Sequence, residues 1–74
     1  MITAVYRFET HPGKEVTIRA SRYPSRTYRW CAVPVNSGGI DHNKPAYWYS
    51  TRKAAELHAD KTLGRGYMIG KWVA

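Results

Sequence analysis

The sequence predicts an α+β fold, a single small domain in which an antiparallel sheet of three to five strands carries one α-helix, at about residues 51–63, on one face. Several segments alternate apolar and polar side chains with a period of two, which is typical of strands with one buried face. One later segment lacks proline and glycine and is rich in alanine. A chain of 74 residues can bury only one compact core, so residues 1–74 are predicted to form one domain.

The strand-like segments either show this alternation or are rich in residues that favour strands, and turn residues separate several of them. They are residues 2–8, 16–20, 27–35, 46–49 and 67–73. The turn at 22–26 joins the second segment to the third, and this arrangement predicts a hairpin. Residues 36–44 are predicted to form a loop because they include Gly38 and Gly39. The last segment is predicted to be an edge strand, although Gly66 and Gly70 weaken its strand character.

The helix has a start signal and an apolar stripe. Ser50 or Thr51 can cap it by accepting hydrogen bonds from the amides of the first turn. Its apolar face is small because Ala55 and Ala59 dominate it, so it can lie close against a sheet. If the helix packs on the apolar face of every strand, period two sends one set of side chains into the core. This set is Tyr6, Phe8, Val16, Ile18, Tyr28, Trp30 and Trp48.

The charge predicts an anionic partner. Twelve Lys and Arg against five Asp and Glu give a net charge of +7, which favours nucleic acid, an anionic membrane or an acidic protein surface. The same period of two sends arginines and tyrosines outward, and the 22–26 turn adds two more arginines. The predicted contact residues are Arg7, Arg19, Arg22, Arg26, Arg29, Tyr47 and Tyr49. Lys44, Arg52 and Lys53 form a second candidate group beside the start of the helix.

Arginine and tyrosine in this arrangement suit nucleic acid. A guanidinium matches phosphate and the edge of guanine with paired hydrogen bonds, and a tyrosine ring can stack on a base. The alternative interpretation is a solvated sheet face whose arginines keep the protein soluble. Against it, Glu9 and Glu15 are the only acidic residues among the first forty, so few carboxylates are available to neutralise the arginines.

Two segments resemble the arm-binding N-terminal domain of tyrosine integrases, whose three-stranded sheet enters the major groove of DNA. These are residues 28–33 (Tyr-Arg-Trp-Cys-Ala-Val) and 48–56 (Trp-Tyr-Ser-Thr-Arg-Lys-Ala-Ala-Glu), and the resemblance covers about half of the chain. The extra first strand, the loop at 36–44 and the segment 67–73 depart from that family. The resemblance implies a DNA-binding module, and a free-standing one would be similar to a small phage or mobile-element accessory protein, a class that includes inhibitors of host enzymes.

The sequence shows no pattern for catalysis, for a metal or for a cofactor. His11, His42, His58 and Cys31 lack the short spacings of a zinc site. The glycines at 38–39 and 64–66 do not form a phosphate-binding loop, since neither has the required lysine and following helix. We therefore expect a protein that is not an enzyme, binds no metal or cofactor, and has no small-molecule substrate.

The location is predicted from cysteine usage and from hydropathy. A single cysteine, Cys31, favours a reducing cytoplasm over export, and no uninterrupted apolar run has the length of a signal or membrane segment. The expectation is therefore a cytoplasmic protein with no membrane partner.

The expected function is to bind nucleic acid, most favourably double-stranded DNA, through the arginine and tyrosine face. The alternative is a protein-protein interaction module, an inhibitor or adaptor, that binds an acidic surface.

Overall fold

The computed structural model describes residues 2–73, and within them it contains six strands and one helix. These are β1 (Ile2–Phe8), β2 (Glu15–Ala20), β3 (Trp30–Asn36), β4 (Gly39–Ile40), β5 (Tyr47–Tyr49), α1 (Arg52–Thr62) and β6 (Tyr67–Trp72). All the paired strands run antiparallel. The α+β class with an antiparallel sheet is confirmed. The structure has one strand more than the five predicted segments. The additional strand is β4, which is two residues long and lies inside the segment predicted as a loop.

The first hairpin joins β1 to β2, so the predicted hairpin across the 22–26 turn is wrong. Ala4 lies opposite Ile18 and Tyr6 lies opposite Val16. The connection at 9–14 is short and contains Gly13 at a φ of 75°, a left-handed conformation that glycine adopts without strain. The second strand is therefore already paired with the first before the chain reaches the next turn.

The last strand, β6, lies in the interior of the sheet, and its prediction as an edge strand is wrong. The strand order is β2-β1-β6-β3-β4, and β5 pairs with the other end of β3. Just before β5, Ala46 forms an isolated parallel bridge to Ala20 of β2, and the Ser21 amide donates to the Ala46 carbonyl at 3.0 Å. The edge strand β2 thus meets the segment that leads into β5, on the far side of β3, and the sheet curls toward closure.

The main core lies inside this curled sheet. Its buried members come from every long strand except β6, which contributes the partly buried Met68 and Trp72. The buried residues are Ala4, Tyr6, Phe8, Ile18, Cys31, Val33, Ala46 and Trp48. Residues directly opposite each other in an antiparallel pair share a face, and the register places Cys31 opposite both Trp48 and Gly70. Odd-numbered residues of β3 therefore point into the core.

Because the odd-numbered residues of β3 point inward, the predicted core positions of Trp30 and Tyr28 are wrong. Trp30 lies on the outer face of β3 and is half-buried. Tyr28 precedes the strand and is 41 % exposed. The prediction failed because it assigned the aromatic rings of Tyr28 and Trp30 to the core, whereas the odd-numbered residues Cys31 and Val33 of β3 point inward. A shift of one residue exchanges the two faces of a strand.

The helix packs on the outer face of the sheet, opposite the aromatic core. Thr51 caps α1, with its hydroxyl accepting from the Ala54 amide at 3.1 Å. The helix contacts β3, β5 and β6, and its buried residues are Ala55 and Ala59. Ala32, on the outer face of β3, is fully buried because these small residues let the helix approach closely. No helix among residues 2–73 is long and apolar enough to cross a membrane.

Candidate nucleic-acid interface

One groove opens where the edge strand β5, the first half of α1 and the connection at 21–29 meet. We call it the tyrosine groove, and it has a volume of about 250 Å³. It is lined by Arg22, Tyr28, Trp48, Tyr49, Ser50, Ala54 and His58. Three separate parts of the chain therefore supply aromatic rings, a guanidinium, a hydroxyl and an imidazole to one concave surface.

The rings of the tyrosine groove are held by packing and by local hydrogen bonds. The centroids of Tyr28 and Trp48 are 6.0 Å apart with planes tilted by 55°, and Tyr49 meets His58 edge to face at 5.1 Å. The Tyr28 amide donates to the Ser25 hydroxyl at 3.2 Å. Neighbouring Pro24 is buried and anchors this turn. The Tyr28 ring therefore packs against Trp48 while part of it stays exposed.

The electrostatic character of the tyrosine groove is positive. None of its seven lining residues carries a carboxylate. Burial, and then the neighbouring Tyr47, raises the pKa of Tyr49, whose hydroxyl is already hydrogen-bonded to the Thr62 side chain. The Trp48 Nε1 atom is buried and has no hydrogen-bond partner among residues 2–73. The groove lining therefore includes a cation and no carboxylate.

A second groove lies between the start of α1 and the ends of β1, β3 and β6. We call it the tryptophan groove, with a volume of about 280 Å³. Its lining residues are Arg7, Phe8, Glu9, Pro12, Trp30, Arg52, Ile69, Lys71 and Val73. Strand register forms it, since Arg7 lies opposite Lys71 and Lys71 lies opposite Trp30. Arg52 and Lys71 both lie over the Trp30 ring, 5.9 and 5.7 Å from its centroid.

The two guanidiniums of the tryptophan groove already have carboxylate partners. Arg52 contacts Glu9 at 2.7 Å and Glu56 at 3.1 Å, and these hydrogen bonds raise the pKa of Arg52. Arg7 lies 3.5 Å from Glu15, its cross-strand neighbour. A phosphate at either guanidinium would have to compete with these carboxylates. The two guanidiniums of this groove are thus less available to a polyanion than Arg22 in the tyrosine groove, whereas Lys71 has no carboxylate partner within residues 2–73.

The predicted contact residues are spread over three parts of the surface. Arg22 and Tyr49 line the tyrosine groove, and Arg7 and Arg52 line the tryptophan groove. Arg19 lies elsewhere, and its guanidinium donates to the carbonyl of residue 43. Arg7 and Arg19 share the outer face of the first hairpin, but four residues of strand, about 13 Å, separate them. The structure does not bring all the predicted arginines together on one sheet face.

The other predicted residues are exposed outside the long strands or at the edge. Arg26 and Arg29 lie in the connection at 21–29, so Arg29 is not on the sheet face where the sequence placed it. Tyr47 is exposed on β5, Lys44 lies in the loop before it, and Lys53 is exposed on α1. Six predicted cations take part in no ion pair within residues 2–73. These are Arg19, Arg22, Arg26, Arg29, Lys44 and Lys53.

Sequence reasoning did not identify Ser50, His58 or Lys71 as site residues, and it placed Tyr28 in the core. Ser50 was considered only as a helix cap, a role that Thr51 fills. His58 could have been found from its position one turn after Ala54 on the same side of the helix, next to the aromatic strand. Nothing in the sequence pairs Lys71 with Trp30, because that contact depends on the strand order.

No group of three or more histidine, cysteine, aspartate or glutamate side chains within residues 2–73 is arranged to hold a metal ion. Cys31 is buried and burial raises the pKa of its thiol, which keeps it protonated. The resemblance to the integrase domain remains a prediction. Comparisons of the chain with models of protein families, with curated proteins and with solved structures found no match.

Proposed function

We propose that this chain binds nucleic acid, without catalysing a reaction, through the tyrosine groove and the cations beside it. The supporting observation is the contrast between the two grooves. The guanidiniums of the tryptophan groove are neutralised by Glu9, Glu15 and Glu56. The tyrosine groove has no carboxylate in its lining, and the cations near it have no ion-pair partner in the described part of the chain.

Four cations lie in the groove lining or close to it along the chain. Arg22 lines the groove, and Arg26 and Arg29 flank Tyr28 along the chain. Lys53 precedes the groove residue Ala54 on α1. Unpaired guanidiniums bind phosphate with charge-assisted hydrogen bonds, and an exposed Tyr28 ring offers a stacking surface for a base. Phosphate contacts would give affinity, and the rings would orient the strand.

DNA is the nucleic acid to test first, in both single-stranded and double-stranded form. In the sequence-based hypothesis, one face of the sheet enters the major groove of a duplex. Helix α1 packs on the outer faces of β3, β5 and β6, so the uncovered outer face of the sheet belongs mainly to β1 and β2. A groove beside a sheet edge suits a single strand of DNA better than a duplex. Binding of single-stranded DNA is therefore compared with binding of the duplex.

A second candidate function is docking to an acidic protein surface. The observation that favours it is the composition of the tryptophan groove, where Phe8, Ile69 and Val73 provide an apolar lining beside Lys71. Lys71 has no carboxylate partner within residues 2–73. An acidic side chain next to an apolar anchor would match this surface, as in the desolvated centre of a protein interface.

The test is fluorescence anisotropy with labelled random-sequence DNA, as single strand and as duplex, at about 50 and about 200 mM salt. Four phosphate contacts predict that log K falls against log salt with a slope of about −3 on single strands. The double variant Arg22→Ala/Arg26→Ala should reduce the magnitude of that slope by about 1.5. The control Lys14→Ala/Arg65→Ala removes the same charge from exposed positions outside the groove lining.

The control separates a specific surface from general attraction by net charge. If both double variants weaken binding equally, the tyrosine groove is not the contact surface. If the wild-type chain binds neither DNA form at about 50 mM salt, nucleic-acid binding is wrong. Docking to an acidic protein then becomes the leading hypothesis, and Lys71→Glu is the variant that tests it.

A further inference from the structure

We propose that the connection at 21–29 binds single strands of nucleic acid in preference to a duplex, with the rings of Tyr23 and Tyr28 each stacked on an unpaired base. This inference rests on the proposed function and deepens it, because it adds Tyr23 as a second stacking ring and names unpaired bases as the ligand. It is carried by the exposure of the two rings, by the anchoring of the connection and by the arginines within it.

The two rings are exposed on the same short connection. Tyr23 is 77 % exposed, more than any other large hydrophobic side chain within residues 2–73, and Tyr28 is 41 % exposed. Tyr23 stacks on no other aromatic ring in this part of the chain, so its faces are open to a ligand. Stacking on a base removes such a ring from water and is tolerant of sequence, since every base has a π-face.

Both ends of the connection are tied to the sheet. The Ser21 amide donates to the Ala46 carbonyl at 3.0 Å, just before β5. The Trp72 amide of β6 donates to the Arg29 carbonyl at 2.7 Å. The connection is therefore held at a fixed place beside the sheet, although it contains no strand or helix of its own.

The middle of the connection is held by a buried proline and two local hydrogen bonds. Pro24 is buried, and the residue before a proline is restricted to extended backbone, which limits the conformations of Tyr23. The Ser25 amide donates to the Tyr28 carbonyl at 3.4 Å, and the Ser25 hydroxyl accepts from the Tyr28 amide at 3.2 Å. A backbone that is already ordered loses less conformational entropy when bases stack on its rings.

Three arginines accompany the two rings along the connection. Arg22, Arg26 and Arg29 take part in no ion pair within residues 2–73, and the chain has no acidic residue between Glu15 and Asp41. Guanidiniums bind phosphates with charge-assisted hydrogen bonds, while the rings take the bases. Cations that follow the backbone and aromatic rings that receive the bases are the two components of single-strand binding sites.

Stacking is what distinguishes a single strand from a duplex at this site. In a duplex the bases already stack on one another, whereas a single strand can turn its bases onto protein rings. Charge alone predicts the opposite preference, because a duplex carries the higher charge density. Tighter binding of the single strand therefore reports on the tyrosine rings and not on the arginines.

The first experiment compares ligands by fluorescence anisotropy at about 50 mM salt. The labelled ligands are about ten nucleotides long and comprise a thymine strand, an abasic strand and a duplex. We expect the thymine strand to bind at least about tenfold more tightly than the abasic strand, and more tightly than the duplex. A uridine strand of the same length compares RNA with DNA, and tighter binding of that strand assigns the site to RNA.

The second experiment removes the rings one at a time. Tyr23→Ala should weaken binding of the thymine strand about fivefold and leave binding of the abasic strand unchanged. Its salt dependence should also stay unchanged, because the arginines remain. Tyr23→Phe keeps the ring and should bind like wild type, and Tyr28→Ala should resemble Tyr23→Ala. Leu57→Ala is the matched control, since it removes a 55 % exposed hydrophobic side chain on α1, outside the connection.

Three results would overturn this inference and leave the proposed function intact. They are equal affinity for the thymine and abasic strands, tighter binding of the duplex than of the thymine strand, and an effect of Tyr23→Ala no larger than that of Leu57→Ala. If no ligand binds, the proposed function itself is wrong, and the preference for single strands is wrong with it.

Discussion

Gly70 of β6 lies directly opposite Phe8 of β1, and the Phe8 ring occupies the space that a side chain at Gly70 would need. A Cβ atom on Gly70 would lie 2.6 Å from Phe8 Cε1 and 2.8 Å from two further ring carbons. Both residues are buried. Gly70, which weakens the strand pattern in the sequence, is therefore what lets β6 pass beneath a core aromatic ring.

Replacing Gly70 by alanine should overpack the core. We expect Gly70→Ala to lower the free energy of unfolding by about 1 to 3 kcal/mol, because the Phe8 ring must move. The measurement is urea denaturation followed by tryptophan fluorescence. Gly38→Ala is the matched control, since a Cβ there meets only Asn36 Oδ1 at 3.4 Å. Equal stability of Gly70→Ala and wild type would show that the core has room at this site.

Replacing Tyr6 by phenylalanine should leave stability unchanged or raise it. The Tyr6 hydroxyl is buried and has no hydrogen-bond partner within residues 2–73, so removing it relieves a desolvation cost of about 1 to 3 kcal/mol. Equilibrium unfolding at neutral pH measures the effect. Tyr67→Phe is the contrasting variant, because the Tyr67 hydroxyl donates to Asp60 Oδ1 at 2.8 Å. A loss of stability in Tyr6→Phe would show that the buried hydroxyl does have a partner.

The buried Tyr6 hydroxyl also predicts that the stability of the fold falls at alkaline pH. Burial raises the pKa of Tyr6 above its ordinary value of 10.0, so the folded protein keeps a proton that the unfolded chain loses. The stabilisation is complete below that ordinary value and is lost as pH rises from it through the raised pKa of the folded state. Tyr6→Phe should therefore show a weaker alkaline loss than wild type in unfolding experiments. Some loss should remain, since burial also raises the pKa of Cys31; identical pH profiles would contradict the prediction.

The two tryptophans of β3 and β5 should differ in their contribution to stability. Trp48 is buried in the core, and Trp48→Ala should cost about 3 to 5 kcal/mol. Trp30 is half-buried on the outer face, and Trp30→Ala should cost at most about 2 kcal/mol. Chemical denaturation of both variants checks this order, and a larger loss for Trp30 would mean that the two faces of β3 are exchanged.

The Thr51 cap should contribute measurably to the free energy of unfolding. Thr51 accepts a hydrogen bond from the Ala54 amide, and Thr51→Ala should lower the free energy of unfolding by about 1 kcal/mol. Thr51→Ser keeps the hydroxyl and should restore most of the loss. Circular dichroism during thermal unfolding reports both variants. If serine is no better than alanine, the cap does not stabilise α1.

Local sequence patterns determined the class of the fold. Alternation at residues 2–8 and 16–20 depends only on the period of a strand, and the cap at Thr51 followed by an alanine-rich run depends only on neighbouring residues. These signals predicted β1, β2 and α1 within one or two residues of their observed bounds. They also predicted that Arg22 and Tyr49 are candidate contact residues, since charge and side-chain chemistry are properties of the sequence.

Tertiary structure decided which strands are neighbours and which charges are available. The face of Trp30 was set by the pairing of Cys31 with Trp48 and Gly70, three positions that are far apart in sequence. Arg7 has a carboxylate partner because β1 and β2 form the first hairpin, and Arg52 has one because α1 begins beside Glu9. Arg22 faces an aromatic groove because the sheet curls until Ala46 meets Ala20. Such long-range pairing is specified by the packing of the whole core, which no local pattern contains.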